Sequence, residues 1–228
     1  MAFDLGTQGL PPTHPDLLDD LAARFVRNGW SIRWLHREIV LSATYRQAST
    51  HDDATHRIDP DNRWLWRMPR RRLDVEAWRD AMPAVAGNLD TTSGGPPRDL
   101  NASDNHRRTI YGTVKRRELH DMLRLFDFPD PTTHSAGRIA TTTPLQQLFT
   151  LNSPLLHRQA EALVKRLQRE ASDDAERIRL AHRLLYAREA TPREMKLAGD
   201  FLGQPPSGQA WLQYARVLLG SNEFAFVD

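Results

Sequence analysis

Cysteine is absent from all 228 residues. That one absence excludes disulfides, thiolate metal sites, covalently attached c-type haem and a cysteine nucleophile. It leaves the compartment open, since cytosolic and exported chains alike can lack cysteine. Long apolar runs are missing too, and no stretch approaches the roughly 18 residues needed for a transmembrane helix. The opening residues Met1 to Asp4 show neither a basic nor an apolar leader region, so no signal peptide is expected in this chain. Lysine is scarce: 3 stand against 28 arginines. An arginine-writing, GC-rich genome accounts for most of that skew. No H-E-x-x-H pair, G-x-S-x-G elbow, phosphate-binding loop or dinucleotide glycine pattern is present.

What is there suffices for a core: 39% of residues are hydrophobic and 26% charged, which argues against wholesale disorder. Net charge is only +2, but it is unevenly spread. Residues 1–62 carry −3, residues 63–124 carry +5, and the rest balance.

Apolar residues recur at helical spacing through most of the chain. Leu17, Leu18, Leu21, Phe25 and Val26 follow Pro15, which suits a first helical position. Gly29 fits a left-handed C-terminal cap and Ser31 caps a second helix, which predicts a helical hairpin over 14–44. Residues 46–62 read as a polar loop. A helix over Leu73–Val85 is expected to kink or end at Pro83. The glycines and prolines of 87–107 read as a long loop. Thr109–Val114 alternates and is β-branched, which predicts a strand. Glu118–Phe126 is helical in pattern. Thr143-Pro144 and Ser153-Pro154 are cap-plus-proline starts, and Thr191-Pro-Arg-Glu194 is a capping box. The expectation is a mainly α, multi-helix, bundle-like domain with at most one small β element near 109–114. It is read as a single domain over 1–228, comprising the hairpin, an Arg-rich segment and helix over 63–86, the loop, a strand and helices over 108–170, and a three-helix part over 174–222.

Three groups of residues carry candidate chemistry. Arg63 to Arg72 holds Arg67, Arg70, Arg71 and Arg72 with Trp64 and Trp66. Guanidinium groups on phosphates and indoles stacked on bases would make this a polyanion site. Asp74, Glu76 and Asp80 follow at once, so a structural Arg–carboxylate network has the same signature. His51, Asp53 and His56 are metal-ligand types, although no helical spacing holds them together and a solvated loop explains them as well. Phe126-Asp-Phe-Pro-Asp130 sets Asp127 and Asp130 around a proline turn, with Arg138 and Thr141–Thr143 near enough in sequence to satisfy them. Paired carboxylates suit general acid–base work, and a local aspartate turn is the plainer reading.

Several stretches taken together resemble one family. They include Pro12-Thr-His-Pro-Asp-Leu-Leu18, Ser42-Ala-Thr-Tyr-Arg-Gln47, Asp59-Pro-Asp-Asn-Arg63, Phe126-Asp-Phe-Pro-Asp130 and Ser221-Asn-Glu-Phe224. In order and spacing they are similar to the C-terminal domain of unknown function of planctomycete-type proteins that also carry a cytochrome c-like domain. The resemblance implies an exported, periplasmic or extracellular parent with haem in another domain and no cofactor in this chain. It also implies contacts with the parent's other domains. The family domain extends further upstream, so the chain is expected to be an N-terminally truncated piece that begins near Phe3–Gly6. An exposed apolar patch near residues 1–30, prone to self-association, follows from that expectation. Where relatives carry a Cys and paired Arg, this chain has Ser135-Ala-Gly-Arg138. Domain company suggests a polysaccharide or sulfated glycan as an alternative, enzymatic role for Asp127, Asp130, Arg70, Arg72 and Arg138, an associational inference. The acids beside the Arg cluster count against nucleic acid as a partner.

Overall fold

The computed structural model describes residues 9, 11–133, 135, 137–138, 140–203 and 205–227. The proposed start at Phe3–Gly6, most of the first dozen residues of the proposed patch, and Ala136 lie outside them. The chain divides into two compact units, with the boundary inside the Arg-rich segment at Arg71/Arg72.

The first unit contains α1 (Pro15–Arg27), α2 (Ile32–Leu41) and α3 (Asp53–Ile58). The turn between α1 and α2 is built by local chemistry. Gly29 takes φ +68°, its amide donates to Val26 O, and the Trp30 amide donates to Phe25 O. Those two bonds define a Schellman ending, and the Phe25 and Trp30 rings close it edge-on at 5.5 Å. Ser31 then caps α2 by accepting from the Trp34 amide at 3.2 Å. None of the three helices buries a residue. Leu17, Leu18, Ile32 and Leu41 are all at least half exposed. The polar loop expected over 46–62 contains α3, because Asp52 accepts the Thr55 amide at 2.7 Å and so starts a turn of helix.

The second unit opens at Arg72, the second residue of the short strand β1 (Arg71–Arg72), and ends with the short strand β2 (Phe226–Val227). Between them run α4 (Val75–Ala86), α5 (Asp121–Leu125), α6 (Pro144–Asn152), α7 (Pro154–Glu170), α8 (Asp174–Tyr186), α9 (Pro192–Leu202), α10 (Gly208–Leu219) and α11 (Asn222–Ala225). α7 is the central element. Leu156, Ala160, Leu163 and Leu167 lie on one face and are almost fully buried. They belong to one core with Trp78 and Met82 of α4 and Trp211, Ala215 and Leu219 of α10. Each large side chain so buried contributes about 1.5–3 kcal/mol. Trp78 also stacks on Phe126 at 4.7 Å. The capping signals hold at atomic level: Thr143 and Thr191 each close a full capping box, and Ser153 accepts from the Leu156 amide. No helix among the described residues is long and apolar enough to cross a membrane.

Thr109–Val114 is not a strand. Thr109–Tyr111 forms a 3-10 turn, followed by isolated bridges at Gly112 and Lys115. The cause is a side chain: Asp80 Oδ1 accepts both the amide and the hydroxyl of Thr109, at 2.7 and 2.6 Å. The segment's first residue is thereby tied to α4, and further on, among the described residues, only Arg98 pairs with it, through Tyr111 O and the Thr113 amide. Pro83 lies inside α4, which runs one further turn to Gly87 at φ +79°. The helix expected over 118–126 is shorter, because His120 rather than Glu118 caps it.

Candidate functional site

The carboxylates singled out in the sequence go to separate partners. Asp127 follows α5 with φ +64°, and the Phe128 amide reaches back to Leu123 O at 3.0 Å. This left-handed ending turns the Asp127 carboxylate toward Thr141, whose amide and hydroxyl both donate to it at 2.8 Å. Arg72 Nη1 stands 3.8 Å from the same carboxylate. That guanidinium also donates to Gln146 Oε1 at 2.9 Å and to Thr141 O, and it lies over the Phe126 ring. Burial pulls the Arg72 guanidinium below its ordinary pKa, with the Asp127 charge opposing. The cavity beside these groups is about 30 Å³, which is water-sized rather than substrate-sized.

Arg138 does not meet either aspartate of the pair. It grips Glu76 with two hydrogen bonds of 2.6 and 2.8 Å, and its guanidinium lies over Phe128. Burial pushes Glu76 up, but the Arg138 hydrogen bonds and charge outweigh it, leaving the carboxyl below its usual range. Asp130 accepts the amide and hydroxyl of Thr132 at 2.8 and 2.7 Å. Those bonds hold its pKa down, and they make the local aspartate turn anticipated as the plainer reading.

In the first unit, the Arg–Trp segment winds around buried Asp59. Its carboxylate takes the amides of Arg63 and Trp64, at 2.9 and 2.8 Å. Its carbonyl takes the Trp66 indole N–H at 3.0 Å. Arg67 lies over the Trp66 ring. Trp64 is exposed, as are Arg70 and Arg71, while Arg72 belongs to the second unit. Two indoles facing outward would suit stacked bases, but Trp66 is folded against its own backbone. His51 bonds Asp53 at 3.1 Å, and its ring sits 4.9 Å from that of His56. No group of three or more ligand-type side chains among the described residues is placed to hold a metal ion.

Other arginines, not marked by any local pattern, organise the second unit. Arg79 is 1% exposed and donates to Arg107 O, Asn105 O and Thr109 Oγ1. Arg107 in turn gathers the carbonyls of Thr92, Gly94 and Pro96. Arg188 bridges Glu194 and Glu223, with two hydrogen bonds to each.

A groove of about 960 Å³ forms where the segment before α5 meets the start of α7. Asn101, Arg117, His120, Phe149 and Arg158 are among its lining residues. His120 Nδ1 accepts the Met122 amide at 3.2 Å, so its proton resides on Nε2 and is donated to Asn101 Oδ1 at 2.8 Å. Burial lowers the His120 pKa, partly offset by Asp99 and Asp121. The sequence offered no periodic or motif signal for this groove, because its walls come from segments distant from one another in the chain.

A mainly α-helical domain tied together by arginine–carboxylate and arginine–carbonyl contacts is therefore the class this fold defines. The chain belongs to the PSD1 family, a family of proteins of unknown function (DUF1553), whose model matches residues 1–202. No curated protein and no solved structure matches the chain.

Proposed function

We propose that this chain is an accessory, interdomain module of a larger exported protein whose haem is carried on another domain. The observation that carries this reading is the helix pair of the first unit. α1 and α2 bury no residue and leave Leu17, Leu18, Val26, Ile32, Val40 and Leu41 exposed. Apolar side chains left in water on both helices of the pair support an interaction face there. The fate of the charged residues supports the same reading. Arg72, Arg138, Asp127 and Asp130 hold loops and helix ends together, and Asp127 and Arg138 answer to different partners.

The test uses the native protein. It would be recovered from its host with an antibody raised against this chain, then stained for covalent haem and sequenced as peptides. The expected result is one exported polypeptide well above 26.1 kDa that carries both haem and these peptides. A haem-free cytosolic polypeptide of this chain's own size overturns the reading. Turnover of a polysaccharide that is lost in Asp127→Asn, with an unchanged unfolding midpoint, would favour the enzymatic alternative instead.

A further inference from the structure

We infer that the groove between the α5 approach and α7 binds a hydroxylated ligand bearing isolated carboxylates, the chemistry of a sugar acid. The inference rests on the chain being a binding rather than a reaction-bearing module.

Four cations line the groove, and two of them are already engaged. Lys115 pairs with Glu118 at 3.2 Å, and Arg124 pairs with Asp121. Arg117 and Arg158 line the same groove yet make no hydrogen bond or ion pair with any described residue. They come from different elements, the turn before α5 and the second turn of α7. Each planar guanidinium can receive a carboxylate through two parallel N–H bonds.

The remaining lining selects among anions. Asp99, Glu118 and Asp121 stand on the walls. With Glu118 and Asp121 offsetting Lys115 and Arg124, the groove retains too little positive charge for a densely charged chain such as a nucleic acid, while its carboxylates can accept hydrogen bonds from hydroxyl groups. Leu100, Leu119 and Phe149 supply apolar surface, suited to the C–H face of a pyranose ring. The volume lies within the ~300–1,000 Å³ usual for ligand sites. His120 is a positioning residue: by donating to Asn101 Oδ1 it leaves the Asn101 amide N–H groups for the ligand.

Titration calorimetry on the full chain would use galacturonate, trigalacturonate, neutral galactotriose and polyphosphate as probes. Expected are binding of trigalacturonate that weakens with added salt, and at least a tenfold loss of affinity in the Arg117→Gln, Arg158→Gln double variant with an unchanged unfolding midpoint. Equal binding of the monomer would assign the carboxylate to a small hydroxy acid, and trimer-only binding to a glycan; both support the proposal. Absence of binding by either acid overturns it, as does equal binding of galactotriose, tighter binding of polyphosphate, or unchanged affinity in the double variant. Such a failure would leave the haem-linkage test untouched, so the two readings fall separately. His120→Asn separates positioning from folding: asparagine can keep the α5 cap but is too short to hold Asn101, so trigalacturonate binding is expected to weaken while the unfolding midpoint stays within error.

Discussion

Arg138 closes a two-pronged ion pair on Glu76, 62 positions earlier in the chain, at 2.6 and 2.8 Å. The pair joins the segment after Asp130 to the first turn of α4. Both side chains retain some solvent exposure, so a modest contribution is expected, about 0.5–1 kcal/mol. A double-mutant cycle of Arg138→Ala and Glu76→Gln, read by urea unfolding, should return a coupling of that size. Strict additivity would show the pair to be energetically idle.

Gly112 has no room for a side chain. A Cβ there would sit 2.5 Å from Leu100 Cδ2 and 2.9 Å from Thr109 O. The neighbouring carbonyl is backbone and cannot swing aside. Gly112→Ala is expected to destabilise by about 1–3 kcal/mol, the usual cost of overpacking. Gly199→Ala, in open space on α9, should instead be neutral or mildly stabilising by the better helix propensity. Thermal unfolding of both variants makes the comparison.

Glu194 serves two structures at once. It completes the capping box of α9 and binds Arg188 at 2.7 and 2.9 Å. The Arg188 hydrogen bonds, with those from Thr191, hold its carboxyl well below the usual 4.5. A depressed carboxylate pKa contributes stability that is full above the unfolded value and is lost progressively as pH falls from there toward the folded value. Glu194→Gln keeps the box but loses the ion pair. It should therefore lower the urea midpoint at pH 7 and shrink the further loss between pH 5 and pH 3. An acid limb as steep as the parent's would refute this assignment.

His182 is 3% exposed on α8. Its Nε2 lies 3.3 Å from the Tyr214 hydroxyl on α10, while Nδ1 has no hydrogen-bond partner among the described residues and stands 3.9 Å from Glu194 on α9. Burial lowers its pKa from 6.5, partly offset by Glu194, with Arg188 lowering it and Glu223 raising it further. The unfolded chain then binds the proton more readily, so stability is full above about pH 6.5 and declines as pH falls through that value. His182→Gln should flatten the stability profile between pH 7 and pH 5. His120, lowered for the same reason, leaves a residual slope that a double variant should remove.

Helix starts were legible from sequence because their chemistry is local. Ser31, Thr143, Ser153 and Thr191 each accept an amide three residues ahead, and a proline follows three of the four. The Schellman turn at Gly29 is equally short-ranged, as is the Asp130 turn onto Thr132. The mainly α character followed from such signals and from helical spacing.

Tertiary structure decided which partner each charge took. Nothing near Arg138 in the chain names Glu76, and nothing near Arg72 names Thr141 or Gln146. Thr109–Val114 has strand composition, yet Asp80, 29 residues earlier, takes its first amide and hydroxyl. The groove lined by Arg117, His120 and Arg158 exists only once α7 packs beside the α5 approach. Capping depends on atoms within one turn of helix, so residue type and spacing specify it. Ion pairs and cavities depend on which distant segments the buried face of α7 draws together, and that is set by how Leu156, Leu163 and Leu167 pack against α4 and α10.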